Sequence, residues 1–205
     1  MIFVMPGMGA DHRMYAAPAW HTLPDARFLD WPAYRGENSI GAIATRVIAE
    51  AEIHDGDTVI GSSLGGIVAC EIANRLQLRS LVLIGSAQSP SEIAPLLAVL
   101  HPLAAIAPLE IVRFSAGKLP GELSAMFAES QTSFIRAMCH AIFVWSGLES
   151  SRIRPLRIHG RSDHVIPPPA NANLLLYAGH LLAMTRADEC VAFLQSRRPW
   201  DAPRA

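Results

Sequence analysis

The segment from Thr58 to Gly66 constrains the fold more than any other part of the chain. Its short apolar run, TVI, passes through GSSLGG directly into a helical pattern. A strand that turns this sharply into a helix raises the side chain at the turn above the sheet, and a Cβ two residues before or after that side chain would crowd the turn. Only Ser63 has glycine at both of those positions, whereas Ser62 does not.

Short apolar runs alternate with helical patterns along most of the chain, which is typical of a parallel sheet with crossover helices. The predicted strands are Ile2 to Met5, Arg27 to Leu29, Thr58 to Ile60, Ser80 to Ile84, Leu156 to His159 and Asn173 to Tyr177. Ser39 is placed to cap a first helix that stops near Asp55, and a second helix runs from Leu64 to about Leu76. The pair Thr185 and Asp188 forms a capping signal for a last helix. We therefore predict an α/β fold with a mostly parallel sheet of about six strands flanked by helices.

The stretch from Gln88 to Ser151 interrupts this alternation with helical sequence that contains proline and methionine. Within it, Ile93 to Val112 is almost entirely apolar and about long enough to span a bilayer. Three prolines, a histidine and a glutamate inside this stretch favour short helices over a membrane span. We predict a helical lid at about 88–151 within a single domain of residues 1–205.

Composition narrows the class of partner. Lys and Arg total 17 against 18 acidic residues, so that the formal charge of -1 does not favour nucleic acid. The three cysteines have no metal-ligand spacing, which favours reduced, buried thiols in a cytoplasmic protein. A signal peptide has a basic segment followed by a long apolar run, and the N-terminal residues lack this pattern. A small-molecule partner is expected, with no cofactor or metal.

A serine hydroxyl is a poor nucleophile unless a base removes its proton and a third group orients that base. Asp163 follows one predicted strand and His180 follows the next, in the chain order serine, acid, histidine. Loops at the carboxyl ends of parallel strands can converge on one edge of the sheet. His159 lies within a strand and is interpreted as structural. A metal site made of His159, Asp163 and His164 would lack a fourth ligand.

Attack on a carbonyl also requires two N–H donors for the oxyanion that forms. One is expected from the amide of Leu64, directly after Ser63. The other is expected from the glycine-rich loop after the first strand, with Met8 as the donor.

Four segments in this order resemble the α/β-hydrolase superfamily, particularly its small members with short caps. PGMGADHRMY is similar to the oxyanion loop, GSSLGG to the nucleophile elbow, HGRSDHVIP to the acid loop and YAGHLLAM to the histidine loop. The resemblance implies the fold without its first two strands. It also implies a catalytic triad of Ser63, Asp163 and His180, and an oxyanion hole at Met8 and Leu64. Pro6 stands where the family usually has histidine.

Esters are the preferred substrates because the predicted lid is apolar and suits a hydrophobic group. The candidate pocket residues are His12, Tyr15, Leu97, Phe127 and Trp145. Other functions stay open, since the superfamily also contains lyases, peroxidases and ligand receptors that retain the triad.

A different class, dinucleotide binding, shares part of the pattern. Gly7-x-Gly9 follows a strand and Asp30 lies at the end of the next one, as in a Rossmann fingerprint. His12, however, stands where the third glycine of that fingerprint belongs.

Overall fold

The structure is a computed structural model that describes residues 1–93, 121–149, 151 and 153–201, with the side chains of 122–124 omitted. Its described strands form one six-stranded sheet in the order β2-β1-β3-β4-β5-β6, and each neighbouring pair is parallel. The strands are β1 Ile2–Met5, β2 Ala26–Phe28, β3 Thr58–Ser62, β4 Ser80–Ile84, β5 Leu156–Gly160 and β6 Leu174–Leu176. The predicted six-stranded α/β fold is confirmed.

Continuous apolar strands form the centre of this sheet. Every residue of β1 and β3 is buried, and so is all of β4 except Ser80. The edge strands β2 and β6 are only three residues long and include no fully buried residue. Central parallel strands read as unbroken apolar runs because helices cover both of their faces.

Side chains alternate between two core layers. Phe3 and Met5 of β1 belong to the cluster that contains the apolar faces of α1 and α2. Ile2 and Val4 belong to the opposite cluster, with Trp20 of a short 3₁₀ helix. This period of two, inherent in the pleat of a strand, separates the two helical layers.

The described α-helices lie in the connections between strands or after the last strand. They are α1 Ile40–Ala51, α2 Leu64–Ala73, α3 Gly121–Glu129, α4 Thr132–Phe143, α5 Leu182–Thr185 and α6 Ala187–Arg197. The Ser39 side chain caps α1 by accepting from the amide of Ala42, as predicted. The helix ends at Ala51, before the predicted stop, because Glu52 adopts a left-handed conformation with φ 58°.

The predicted cap at Thr185 is wrong. Thr185 is the last residue of α5, and its hydroxyl donates back to the carbonyl of Leu181 at 3.1 Å. Helix α6 starts after Arg186, which provides no side-chain cap. An N-cap residue lies outside the helix that it caps and has non-helical backbone angles, whereas Thr185 lies within α5.

Residues between β4 and β5 form the predicted insertion. Its two ends meet where the Leu148 amide donates to the carbonyl of Gln88 at 2.8 Å. Helix α4 packs on the main core, with Phe134 and Met138 buried there. Most of Ile93 to Val112, including Leu97, lies outside the described residues. Among the helices that are described, none has the length and apolar character to cross a membrane.

We expect Ser39→Ala to lower the free energy of unfolding by about 1 kcal/mol, because the Ala42 amide loses its acceptor. Thr45→Ala in the same helix is the matched control, since the Thr45 hydroxyl bonds within the helix and caps nothing. Its effect should stay within about 0.5 kcal/mol. Denaturant unfolding of both variants measures the difference, and equal effects would contradict the capping role.

Candidate active site

Ser63 occupies a strained turn between β3 and α2. Its backbone has φ 51° and ψ −120°, a conformation that residues other than glycine rarely adopt. A Cβ on Gly61 would lie 2.3 Å from the carbonyl oxygen of Gly65, and a Cβ on Gly65 would lie 2.4 Å from that of Pro6. The two glycines therefore allow α2 to start directly above the sheet edge.

Hydrogen bonds on both sides hold this turn. The Ser63 amide donates to the carbonyl of Ile84 in β4 at 3.1 Å. The Ser63 carbonyl accepts the hydroxyl of Ser86 at 2.7 Å as well as the amides of Gly66 and Ile67. Ser86 is fully buried, and a Cβ on Gly66 would overlap its hydroxyl oxygen.

Sequence reasoning missed Ser86. The only signal was its position just after a strand that neighbours β3, at the same sheet edge as Ser63. That position alone does not distinguish a hydroxyl that supports the turn from an ordinary loop serine.

The structure brings Ser63, His180 and Asp163 together. His180 Nε2 lies 2.9 Å from Ser63 Oγ, and His180 Nδ1 lies 2.9 Å from Asp163 Oδ2. A carboxylate only accepts hydrogen bonds, so Nδ1 carries the hydrogen and Nε2 is the acceptor for the serine hydroxyl. The three side chains thus form one continuous hydrogen-bonded chain.

Backbone contacts keep the acid and histidine loops side by side. The Ser162 amide donates to the carbonyl of Ala178 at 3.0 Å. A Cβ on Gly160 would lie 2.5 Å from the carbonyls of Ala178 and Gly179. The glycine after His159 is therefore needed for the close approach of the two loops.

The Asp163 carboxylate is buried but well provided with donors. Its Oδ1 accepts the amides of Val165 and Ile166, both at 2.9 Å. Burial raises the pKa of this carboxyl, but hydrogen bonds from His159, His180 and Ile166 and the charge of His180 outweigh burial and hold the pKa well below its usual value. Asp163 is therefore ionised throughout the neutral and mildly acidic range.

The loop after β1 lies against the serine. A Cβ on Gly7 would lie 3.5 Å from the Cβ of Ser63. Trp31 Nε1 donates to the carbonyl of Gly7 at 2.9 Å and so helps to fix the loop. Leu64 is the first residue of α2, where an amide has no partner within the helix. Within the described chain, the amides of Met8 and Leu64 donate no hydrogen bond.

The insertion contacts this same loop. Gly9 has φ 68°, and a Cβ there would lie 2.3 Å from the ring of Phe127 in α3. The Cys139 thiol of α4 lies 3.7 Å from the Met8 sulfur. The described part of the insertion thus packs directly on the loop after β1.

The candidate pocket residues that the structure describes differ in their exposure. Tyr15 is fully buried, and its hydroxyl donates to the Met5 carbonyl and lies 2.8 Å from Ser62 Oγ. Trp145 and Phe127 are also buried. His12 is exposed and contacts Asp30 at 2.7 Å. Tyr15 and Trp145 thus pack in the core, and their pocket role stays a prediction.

A cavity of about 300 Å³ does open beside the oxyanion loop. Its walls include Gly9 and Ala10 of that loop, Trp31, and Phe134 of α4. The rings of Trp31 and Phe134 contact each other at an interplanar angle of 43°, with their centroids 5.3 Å apart. None of the candidate pocket residues described above lines this cavity.

The geometry at Asp30 argues against a dinucleotide site. Its Oδ1 accepts the amide of His12 and contacts the imidazole of the same residue. The loop leads into a 3₁₀ helix at His12–Tyr15, whereas the fingerprint requires an α-helix whose N-terminus faces the pyrophosphate. The side chain of His12 occupies the position where the third glycine would allow close packing.

The solved structures that superpose on this chain include several that are named as hydrolases. An esterase from Thermogutta terrifontis superposes with a TM-score of 0.74 at 16% identity, covering 97% of this chain and 89% of the esterase. A hydrolase from Oleispira antarctica gives 0.73 at 17% identity, with 95% and 90% covered. The type II thioesterase BorB of the borrelidin biosynthetic cluster gives 0.65 at 17% identity, with 95% and 91% covered. At these identities the likeness shows the fold alone.

The sequence itself matches the model of the alpha/beta hydrolase family over residues 1–193. The chain belongs to this family, and its fold and family support a hydrolase activity. A comparison with curated proteins gives no significant match.

We expect Gly9→Ala to destabilise the protein more than Gly36→Ala. Both glycines have positive φ, 68° and 98°, but only Gly9 faces a ring that an added Cβ would overlap. Gly36→Ala isolates the backbone cost, about 1 kcal/mol, and Gly9→Ala adds an overpacking cost of about 1–3 kcal/mol. Denaturant unfolding measures both, and Phe127→Ala should remove most of the difference. Equal losses would show that Phe127 does not press on the loop.

Ionised Asp163 also predicts a pH dependence of stability. Because the folded-state pKa is depressed below the ordinary value of an aspartate, about 4, the contribution of Asp163 is present above about pH 4 and is lost as the pH falls below that. The Tm of the wild type should therefore decrease more steeply between pH 4 and pH 2 than the Tm of Asp163→Asn. Parallel curves for the two proteins would refute this expectation.

Proposed function

We propose that the protein is a serine hydrolase that cleaves an ester bond of a small molecule with a hydrophobic group. The observation that carries the proposal is the unbroken chain from Ser63 Oγ through His180 to Asp163, with both links at 2.9 Å. This chain supplies a nucleophile, a base and an orienting acid in the arrangement that acyl transfer requires.

In the proposed reaction, Ser63 Oγ attacks the ester carbonyl carbon while His180 Nε2 accepts the hydroxyl proton. Collapse of the tetrahedral intermediate breaks the bond to the alcohol, which takes the proton from His180 as it leaves. Water then attacks the acyl-serine, gives its proton to His180, and the acid is released as Ser63 is restored. Asp163 stays ionised and holds the imidazolium that forms in each half of the reaction.

The amides of Met8 and Leu64 are the proposed donors to the oxyanion. Both belong to segments that contact Ser63, and neither is used by another described group. Loss of one such donor typically lowers kcat by about 10²–10³. The bond from Trp31 to Gly7 would keep the Met8 amide in place.

An ester substrate is supported by the names of structural neighbours and by the cavity beside the loop. The neighbours include an esterase and a thioesterase, both of which act on acyl groups. A cavity of about 300 Å³ with two aromatic side chains in its wall suits a modest hydrophobic group. No cofactor is needed for this chemistry.

A cytoplasmic location is proposed from the cysteine pattern.

The reactive residue can be identified with a fluorophosphonate probe. We expect covalent labelling of the wild type at Ser63 and loss of labelling in Ser63→Ala. Ser62→Ala is the matched control, because the adjacent hydroxyl contacts Tyr15 and not His180, and its label should remain on Ser63. Peptide mapping that places the label on another residue would overturn the proposed site.

Multi-turnover assays with p-nitrophenyl esters of increasing chain length test the activity. His180→Ala and Asp163→Asn should each lower kcat by about 10⁴, because the serine loses its base or the base loses its correct tautomer. A burst of one equivalent of p-nitrophenol without further turnover would instead indicate a ligand receptor that is acylated once. Continued turnover by His180→Ala would contradict the proposal.

A further inference from the structure

His159 is a buried polar side chain that the proposed reaction does not yet use. It lies in β5, and its side chain is 1% exposed. Nε2 lies 2.8 Å from the Ile166 carbonyl oxygen and 3.3 Å from Asp163 Oδ2. The other ring nitrogen, Nδ1, is buried without a hydrogen-bond partner in the described chain.

The protonation of the ring follows from its partners. A backbone carbonyl and a carboxylate are both acceptors, so Nε2 must carry the hydrogen and Nδ1 is bare in the neutral ring. A bare, buried nitrogen is unfavourable, and a leucine would fill the same space without it. Packing alone therefore does not account for a histidine at this position.

The Nε2 contacts join a strand to the acid loop. Ile166 donates its amide to Asp163 Oδ1 and accepts His159 Nε2 at its carbonyl. His159, Ile166 and Asp163 thus form a closed ring of contacts anchored in β5, the strand that leads into the acid loop. His180 approaches Asp163 at the same oxygen, Oδ2, that His159 contacts.

We propose that His159 is a positioning residue that fixes the plane of the Asp163 carboxylate toward the imidazole of His180. It does so from strand β5, where Nε2 donates to the Ile166 carbonyl and the same N–H lies 3.3 Å from Asp163 Oδ2. The inference rests on the proposed function, because it gives His159 a part in the reaction at Ser63. His159 acts through Asp163 and contacts neither the serine nor a substrate.

Substitution of His159 by glutamine or by asparagine tests the roles of the two ring nitrogens separately. The side-chain amide of glutamine reaches about as far as Nε2, whereas that of asparagine reaches only as far as Nδ1. His159→Gln therefore retains an N–H donor near Ile166 and Asp163. His159→Asn has the same amide group, but its shorter side chain does not reach these two residues. The two variants are matched in chemistry and differ in reach.

We expect His159→Asn to lower the rate of fluorophosphonate labelling at Ser63, and kcat for an ester, by about tenfold, because misplaced catalytic groups react slowly. KM should change by less than about twofold, since the ester itself does not touch His159. His159→Gln should recover most of the lost rate. Thermal unfolding of both variants is recorded so that rates are compared only between folded proteins.

Asp163→Asn supplies the second half of a double-mutant cycle. If His159 acts through the carboxylate, His159→Asn should lower the labelling rate by less than about twofold in that background. A tenfold loss in both backgrounds, or equal rates for the Asn and Gln variants, would overturn the positioning role. A wild type that is not labelled at Ser63 would overturn the proposed function itself, so that the two failures are distinguishable.

Discussion

The left-handed backbone at Ser63 is the constraint on which the rest of the site depends. A residue with a Cβ in such a conformation costs about 1–2 kcal/mol, and it persists only where the surroundings hold it. Here the Ser63 amide is bound by β4, and its carbonyl is bound by Ser86 and by the first turn of α2. The strain is thus distributed over two strands and a helix that the core already fixes, and Ser63 can point its hydroxyl away from the sheet.

The same constraint explains which neighbours are glycine. Gly61 and Gly65 face backbone atoms that cannot move without displacing α2 or the loop after β1, whereas Gly66 faces the Ser86 hydroxyl. Sequence reasoning predicted the first two because their requirement is local to the turn. It missed the third because the requirement comes from a residue in another strand connection.

This difference between local and distant causes holds for the whole chain. The central strands β1, β3 and β4 could be predicted because burial on both faces leaves unbroken apolar runs. Ser39 could be predicted because a cap acts within one turn. Thr185 was misjudged because its hydroxyl bonds backward. Tyr15 was placed near the pocket because it follows the oxyanion loop, but its ring fills a gap beside Trp20 and Phe28, which no local pattern shows. The meeting of Ser63, His180 and Asp163 was expected from their order along the chain, from the position of each residue after a predicted strand and from the family resemblance.

The insertion contacts the loop after β1 through side chains that the composition of the chain could not indicate. Phe127 lies over Gly9, and Cys139 contacts the sulfur of Met8. Arg13, just beyond the loop, pairs with both Asp11 and Glu129 at the end of α3. Exposed ion pairs of this kind contribute little energy. The contact between Phe127 and Gly9 is therefore the stronger link between the insertion and the loop after β1. The apolar side of the insertion therefore supports the proposed site and does not merely cover it.

The electrostatics of Asp163 set how the proposed reaction can proceed. Its depressed pKa means that the carboxyl does not take a proton from His180 while the serine is attacked. The positive charge that forms on His180 must then remain on the imidazole, held at 2.9 Å by an ionised carboxylate whose other oxygen is bound by two amides. A carboxylate that is already so well satisfied needs no rearrangement as the imidazolium appears, and such fixed groups are more effective than water, which must reorient. The donors on Asp163 are for this reason as much a part of the proposed mechanism as the serine itself.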